Sequence, residues 1–259
     1  MPRHINHLLT ALICLCFYGV MHTPAHAEPV VPAVPAVEVV AEDVPDRMGH
    51  GIVFLELFTS EQCPFCPEAE RNFRDLLGQD GVMGFTCSVD YFSTGTDPLA
   101  RPFCTARQDF YMDRIKTGPR YTPQLILNGV SHMSGHKIQD VAVALKGAQQ
   151  NPATRLNIVA GSVDGQFDII LPAMTRGTDA KPYMLRMALV KKQMDDTKAP
   201  HTNQIRQLIN GGDWNGGATA WTVTPPADPD ADAFIVFVQD PETARIVAAG
   251  IEDLSRSSR

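Results

Sequence analysis

A chain of 259 residues is long enough for one large domain or two ordinary ones, each with a hydrophobic core. Hydrophobic residues make up 44% and charged residues 20%, an ordinary globular balance. The formal net charge of -7 and pI of about 5.6 remove the electrostatic grounds for nucleic acid or an anionic membrane surface as a partner.

Residues 1–7 form a short segment with one firm positive charge, Arg3, and residues 8–21 an apolar run. Ala25-His26-Ala27 is a small-x-small site ahead of Glu28, so residues 1–27 read as a secretory signal peptide cleaved after Ala27. An uncleaved anchor would need an apolar run of about 18 residues, which this one does not reach. Cys14 and Cys16 follow Ile13 and Leu15, not the small residue of a lipoprotein cleavage site. Export leaves Cys63, Cys66, Cys87 and Cys104, and in an oxidising compartment such thiols pair or do redox chemistry. No later apolar stretch is long enough to span a bilayer, so the mature chain is expected to be soluble and free of the membrane, in the periplasm or secreted.

Residues 28–48, rich in Pro, Val and Ala, read as an extended linker. An apolar run at 52–58 predicts a buried strand, and Cys66, Ala69, Phe73, Leu76 and Leu77 share one face of a helix over 63–77. A strand over 82–89, a Gly/Thr/Asp/Pro loop at 93–99 and a helix over 101–116 follow. Next come a strand at 124–127, the turn dipeptide Asn128-Gly129, a returning strand at 130–133, and a helix carrying Ile138, Val141, Ala142 and Leu145. This succession predicts a layered α/β domain with a mixed sheet over 49–152. Over 153–259 short strand-like runs alternate with Gly, Pro and Asp turns, which predicts a β-sandwich-like domain; residues 201–209 fit either a strand or a short helix.

The chemistry centres on Cys63-Pro64-Phe65-Cys66, placed after a buried strand and at a helix start. The thiolate is the attacking species, and free N–H groups and the helix dipole stabilise it there. Cys63 is expected as the exposed nucleophile and Cys66, on the apolar face, as the resolving thiol. Pro64 and Pro67 both suit a helix beginning and leave its register open. Two other readings stand beside redox chemistry: a structural disulfide, and half of a zinc site, although Cys87 and Cys104 are not closely spaced as a second ligand pair.

The stretch 53–148 resembles a thioredoxin fold. Tyr121-Thr122-Pro123-Gln124 lies just before the third strand, where that resemblance implies a cis proline against the CxxC. Thr122 and Pro123 would then present backbone groups to substrate. Glu56-Leu57-Phe58-Thr59-Ser60, Val89-Asp90-Tyr91, Tyr121-Thr122-Pro123-Gln124 and Asn128-Gly129 together resemble a secreted bacterial family, domain-of-unknown-function family 1223. That resemblance extends through residues 203–214. Two departures from thioredoxins stand out. Glu61 and Gln62 precede Cys63 where a Trp is usual, and the inner dipeptide Pro-Phe is closer to the Pro-aromatic pairs of glutaredoxins and the Pro-His of periplasmic disulfide oxidases.

Glu56 is an acid in an apolar strand; buried, its pKa would rise and it could pass a proton to Cys66. The competing reading is a carboxylate facing water or an arginine. Pro64, Phe65 and Tyr91 are candidate substrate contacts, and Cys87 and Cys104 a candidate structural disulfide. His132, Met133 and His136 with the cysteines raise copper as a second alternative, since soft sulfur and imidazole suit it. Arg206 and Trp214 stand out in the second half, where core packing is the simpler role. The sequence therefore points to an exported thiol–disulfide oxidoreductase that needs no cofactor or metal. Its partners would be exported protein thiols or disulfides and a redox partner. The alternative is a non-enzymatic binding protein with a structural CxxC disulfide.

Overall fold

The computed structural model describes residues 51–92, 97–194 and 201–257. The predicted signal peptide, the linker and residues 93–96 of the 93–99 loop lie outside the described residues. The first half runs β1 (Val53–Thr59), α1 (Cys66–Leu77), β2 (Val82–Ser88), α2 (Pro102–Ile115), β3 (Gln124–Leu127), β4 (Ser131–Ser134) and α3 (Ile138–Ala148). All of β1 is buried, Glu56 included, as a mostly apolar run suits a central strand. It pairs parallel with β2 and antiparallel with β3.

Alternation along β1 sends successive side chains to opposite faces. Val53, Leu55 and Leu57 pack with Ala69, Phe73 and Leu76 of α1 and with Val141 and Leu145 of α3. Phe54 and Phe58 pack on the other face with Cys104 and Tyr111 of α2. Asn128 and Gly129 form the β3–β4 turn with φ of 47° and 70°, which is why that dipeptide stands there. A Cβ on Gly129 would also lie 2.0 Å from the Ala244 carbonyl oxygen, so only glycine lets the turn meet the second half of the chain.

The second half adds β5 (Thr154–Arg155), β6 (Asn157–Ala160), β7 (Phe167–Leu171), β8 (Tyr183–Met194), β9 (His201–Trp214), β10 (Thr219–Val223), β11 (Ala233–Gln239) and β12 (Ile246–Asp253), closed by a 3-10 turn at Leu254–Ser257. The segment expected as strand or helix is thus a long strand, β9. The strands do not form a sandwich of their own. Instead, they extend the first sheet to nine strands in the order β4-β3-β1-β2-β9-β8-β11-β12-β5, and a separate three-stranded sheet, β10-β7-β6, lies beside it. Phe167, Ile169, Leu171, Trp221 and Val223 of the small sheet pack on Leu185, Met187, Phe234, Val236 and Ala248 of the large one. The two-layer packing is therefore present locally, but one layer belongs to the sheet that carries the first half.

The join is at β2, which would otherwise be an open edge with unpaired backbone groups. It pairs parallel with β9 at Thr86 and Gln204. The Thr86 hydroxyl donates to Gln204 Oε1 at 2.8 Å, and Asn203 Nδ2 donates to the Gly84 carbonyl at 2.8 Å. The whole is a mixed α/β fold with one large mixed sheet and few helices.

Candidate functional site: a buried dithiol at a helix start

Cys66 is the first residue of α1, Phe65 is its N-cap, and Pro67 sits in the first turn, which settles the register that the two prolines left open. Cys63 lies in the preceding turn, its N–H donating to the Ser60 carbonyl at 3.1 Å and its carbonyl accepting from Cys66 N–H at 3.2 Å. Both cysteines carry free thiols. Cys66 is shielded as expected, at 1% exposure; Cys63, expected to be exposed, is buried too, at 4%.

The two sulfurs are chemically unequal. The hydrogen bond from Cys66 is the strongest influence on Cys63; the Thr122 side chain and the Phe65 and Cys66 backbone groups add to it. Together they outweigh burial and bring the Cys63 pKa from an ordinary 9.0 down to about 6. The same bond to Cys63, reinforced by burial, pushes the Cys66 thiol far up, against weaker opposition from Thr59 and the Ser60 backbone. Cys63 is thus the sulfur that ionises first, and Cys66 the one that holds its proton.

The Thr122–Pro123 peptide is cis, and Thr122 is brought against Cys63. The Pro123 carbonyl accepts from Gly135 N–H at 3.2 Å, fixing the start of β3 to the end of β4. Pro64 and Phe65 are exposed beside the dithiol, and the Phe65 ring stacks on His136 with centroids 5.1 Å apart. Tyr91 sits on Phe92 with Arg120 over its ring. Burial pushes its hydroxyl pKa up to about 12, against a hydrogen bond with Gln108, and it lies within electrostatic reach of both cysteines.

Glu56 does not join this group. It is buried on the face of β1 opposite α1, and its carboxylate is bonded by Arg107, whose Nη2 lies 2.7 Å away, and by the Tyr111 hydroxyl. The expected proton transfer from Glu56 to Cys66 is corrected to the arginine-facing reading, because strand alternation turns the carboxylate away from the dithiol. Arg107 Nη1 also donates to Gln239 Oε1 at 3.2 Å, so α2, β1 and β11 share one buried network.

Cys87 and Cys104 form a disulfide with Cα atoms 5.4 Å apart, tying β2 to α2. It spans a sequence separation of 17. Replacing both cysteines with alanine is expected to cost about 3 kcal/mol through the freed unfolded chain, read as a lower urea midpoint. An unchanged midpoint would contradict the bridge.

His132 and His136 each have a hydroxyl partner. The Tyr121 hydroxyl meets His132 Nδ1 at 2.8 Å, and the Ser134 hydroxyl meets His136 Nδ1 at 2.9 Å. Among the described residues no group of three His, Cys, Asp or Glu side chains comes together as a metal site. Arg206 pairs with Asp230 at 2.8 Å, and Trp214 donates to the Gly217 carbonyl at 2.8 Å while packing on Tyr183.

Behind Cys66 lies a polar chain that sequence reasoning missed. The buried Thr59 hydroxyl donates to Glu70 Oε1 at 2.5 Å, and Glu70 Oε2 lies 2.5 Å from His201 Nδ1. His201 Nε2 is 3.5 Å from Glu61 Oε1. Burial works against the imidazolium, but Glu70 and then Glu61 outweigh it and hold the His201 pKa above its ordinary value. Glu70 had a signal in the sequence: four residues after Cys66, it places an acid on the buried stripe of α1. His201 had none, since it arrives from the other half of the chain.

Fold and site define a mixed α/β protein with a free dithiol at a helix start and a separate disulfide behind it. Residues 54–239 match the family described as "Protein of unknown function (DUF1223)", and the chain belongs to that family. No curated protein matches the sequence. Among solved structures, the chain is similar to protein AGR_C_4864 from Agrobacterium tumefaciens, a structural-genomics target, at 23% identity and a TM-score of 0.68. The likeness covers 78% of this chain and 94% of that one, and it shows the fold alone.

Proposed function

We propose that this protein is an exported, thioredoxin-like thiol–disulfide oxidoreductase. Cys63 attacks a substrate disulfide, or in the oxidised form is attacked by a substrate thiolate; Cys66 resolves the mixed disulfide. The observation that carries the reading is a free dithiol at the start of α1, with Cys63 in the turn before the helix and Cys66 sealed at 1% exposure; the lowered pKa of Cys63 and the raised pKa of Cys66 accord with it. A nucleophile with a pKa near ambient pH and a shielded partner are what exchange requires. The placement of Thr122 against Cys63 supports a role for Thr122 and Pro123 in holding an extended substrate segment. Pro64, Phe65 and Tyr91 would flank it. The Cys87–Cys104 bridge accords with an oxidising compartment such as the periplasm or the exterior. Partners are exported protein thiols or disulfides and a redox partner that resets the pair.

Two measurements test this. The alkylation rate of reduced protein by iodoacetamide is expected to follow a single titration with its midpoint near 6, because the thiolate alone reacts. Since the Cys63 pKa is lowered on folding, reactivity is present above that midpoint and is lost as pH falls through it. A midpoint near the ordinary 9.0 would contradict an activated Cys63. The reduction potential of the Cys63–Cys66 pair is expected above about -300 mV; a value below that would make the pair a structural bridge and remove the catalytic reading.

A further inference from the structure

Resolution of a mixed disulfide has a proton problem at Cys66. Its thiol is buried and its pKa is pushed far up, yet it must become a thiolate to attack Cys63. Water does not reach it freely, so the proton needs a route. Thr59, at the end of β1, is fully buried and close enough to Cys66 to act on its thiol. Its hydroxyl also donates to Glu70, which lies one helical turn after Cys66 in α1 and is 2% exposed. Glu70 meets His201 at the start of β9, also 2% exposed, and His201 faces Glu61 in the loop before Cys63. Among the described residues both His201 nitrogens are buried and make no hydrogen bond, and the two carboxylates meet them as ion-pair contacts. The Glu61 side chain is 19% exposed, so the chain of contacts begins at a buried sulfur and ends at the surface.

We propose that Thr59, Glu70 and His201 form the path by which Cys66 loses its proton while resolving a mixed disulfide on Cys63, with Glu61 as the outlet to solvent. The inference rests on the oxidoreductase reading and adds a proton route to it. In the first step the Cys63 thiolate attacks R–S–S–R′; the Cys63–S–R bond forms and R′–S⁻ leaves. In the second, the Cys66 thiol gives its proton to the Thr59 hydroxyl, which passes its own to the Glu70 carboxylate. The Cys66 sulfur attacks Cys63 Sγ, the Cys63–Cys66 disulfide forms, and R–S⁻ leaves. The dithiol loses two electrons and the substrate disulfide gains them. His201 acts here in its neutral Nε2–H form: the proton on Glu70 enters at Nδ1 while Nε2 releases one to Glu61, and Glu61 releases it to water. In the reverse direction the same path returns a proton to Cys66.

Thr59 touches the reacting thiol and is a candidate catalytic residue; Glu70 and His201 act through it and are positioning residues. A purely structural role, tying α1 to β9, is the competing explanation, and the two are separable because only the second chemical step needs the path. Reduced full-length protein is mixed with one equivalent of 5,5′-dithiobis(2-nitrobenzoate), and the two thionitrobenzoate releases are followed by stopped flow. The first reports attack by Cys63 and the second reports resolution by Cys66. Thr59→Val and Glu70→Gln are each expected to slow the second release about a hundredfold at pH 7 while the first stays within about twofold. In both variants the second release should climb about tenfold per pH unit toward pH 9, as hydroxide takes over the role of base. Thr59→Ser, which keeps the hydroxyl, should return the second release to near the wild-type rate. The unchanged first release also shows that each variant is folded. If both releases slow together, or if the second is unaffected, the proton path is wrong and the oxidoreductase reading stands. If the wild type gives neither release, the oxidoreductase reading falls and the path with it.

Discussion

A Cys66→Ser variant offered a disulfide substrate should accumulate a covalent adduct on Cys63, whereas Cys63→Ser should form none and lose exchange activity by at least about a thousandfold. The asymmetry follows from the thiols' surroundings. Cys63 is held near a pKa of 6 by the Cys66 hydrogen bond, Thr122 and helix-start backbone groups, so it is the nucleophile at neutral pH. Serine there lacks an accessible anion and cannot open a disulfide. Serine at position 66 removes only the group that ends the reaction. The mixed disulfide then persists until an external thiol reaches it, and intact-mass analysis before and after dithiothreitol reads it directly. Serine at position 66 can still donate a hydrogen bond to the Cys63 sulfur, so the first step should persist at pH 7. An adduct found on Cys66 in the Cys63→Ser variant would reverse the assignment. Adducts on neither variant would leave the pair without exchange chemistry.

Much of this arrangement was legible in the sequence because local rules carry it. The apolar run of β1, broken only by Glu56, marks a strand buried on both faces, Asn128-Gly129 marks a turn with positive φ, and a cysteine stripe with Ala69 and Phe73 marks α1. The face of β1 that Glu56 occupies was also decidable. Leu55 and Leu57 pack with the apolar stripe of α1, so the residue between them must point away. The pairing of β2 with β9 was not readable, since nothing local to either strand names its neighbour and the ladder forms between distant segments. His201 was hidden for the same reason. A histidine at the head of a polar strand carries no signal until the fold sets it against Glu70. What the sequence missed was therefore long-range contact: the strands that extend one sheet across both halves and the polar chain that crosses the join.

Glu56 has its largest effect on stability rather than on exchange. Its carboxylate and the Arg107 guanidinium are both buried, with Tyr111 and Gln239 completing the cluster and Arg107 lying 4.8 Å from the centroid of the Phe237 ring. Two desolvated charges of this kind contribute little net stability as a pair, but removing one strands the other in a low-dielectric interior. Glu56→Ala is therefore expected to destabilise the protein by about 3–5 kcal/mol, and Arg107→Ala by a similar amount. The double replacement Glu56→Leu with Arg107→Met should recover most of the loss, because neither charge is then left unpaired and the volume is largely kept. Urea unfolding midpoints of the two single variants and the double variant measure the coupling; additive losses would mean that the pair does not interact as the geometry requires. Exchange kinetics give the second half of the test. Glu56→Gln keeps the shape of the side chain, and at temperatures where it remains folded its second thionitrobenzoate release should match the wild type. The reason is positional: the carboxylate that exchanges a proton with Cys66 lies on the other face of β1, where Glu70 stands on the same helix as Cys66. A selective slowing of that release in a folded Glu56→Gln would place Glu56 on the proton path and overturn its assignment as a structural anchor.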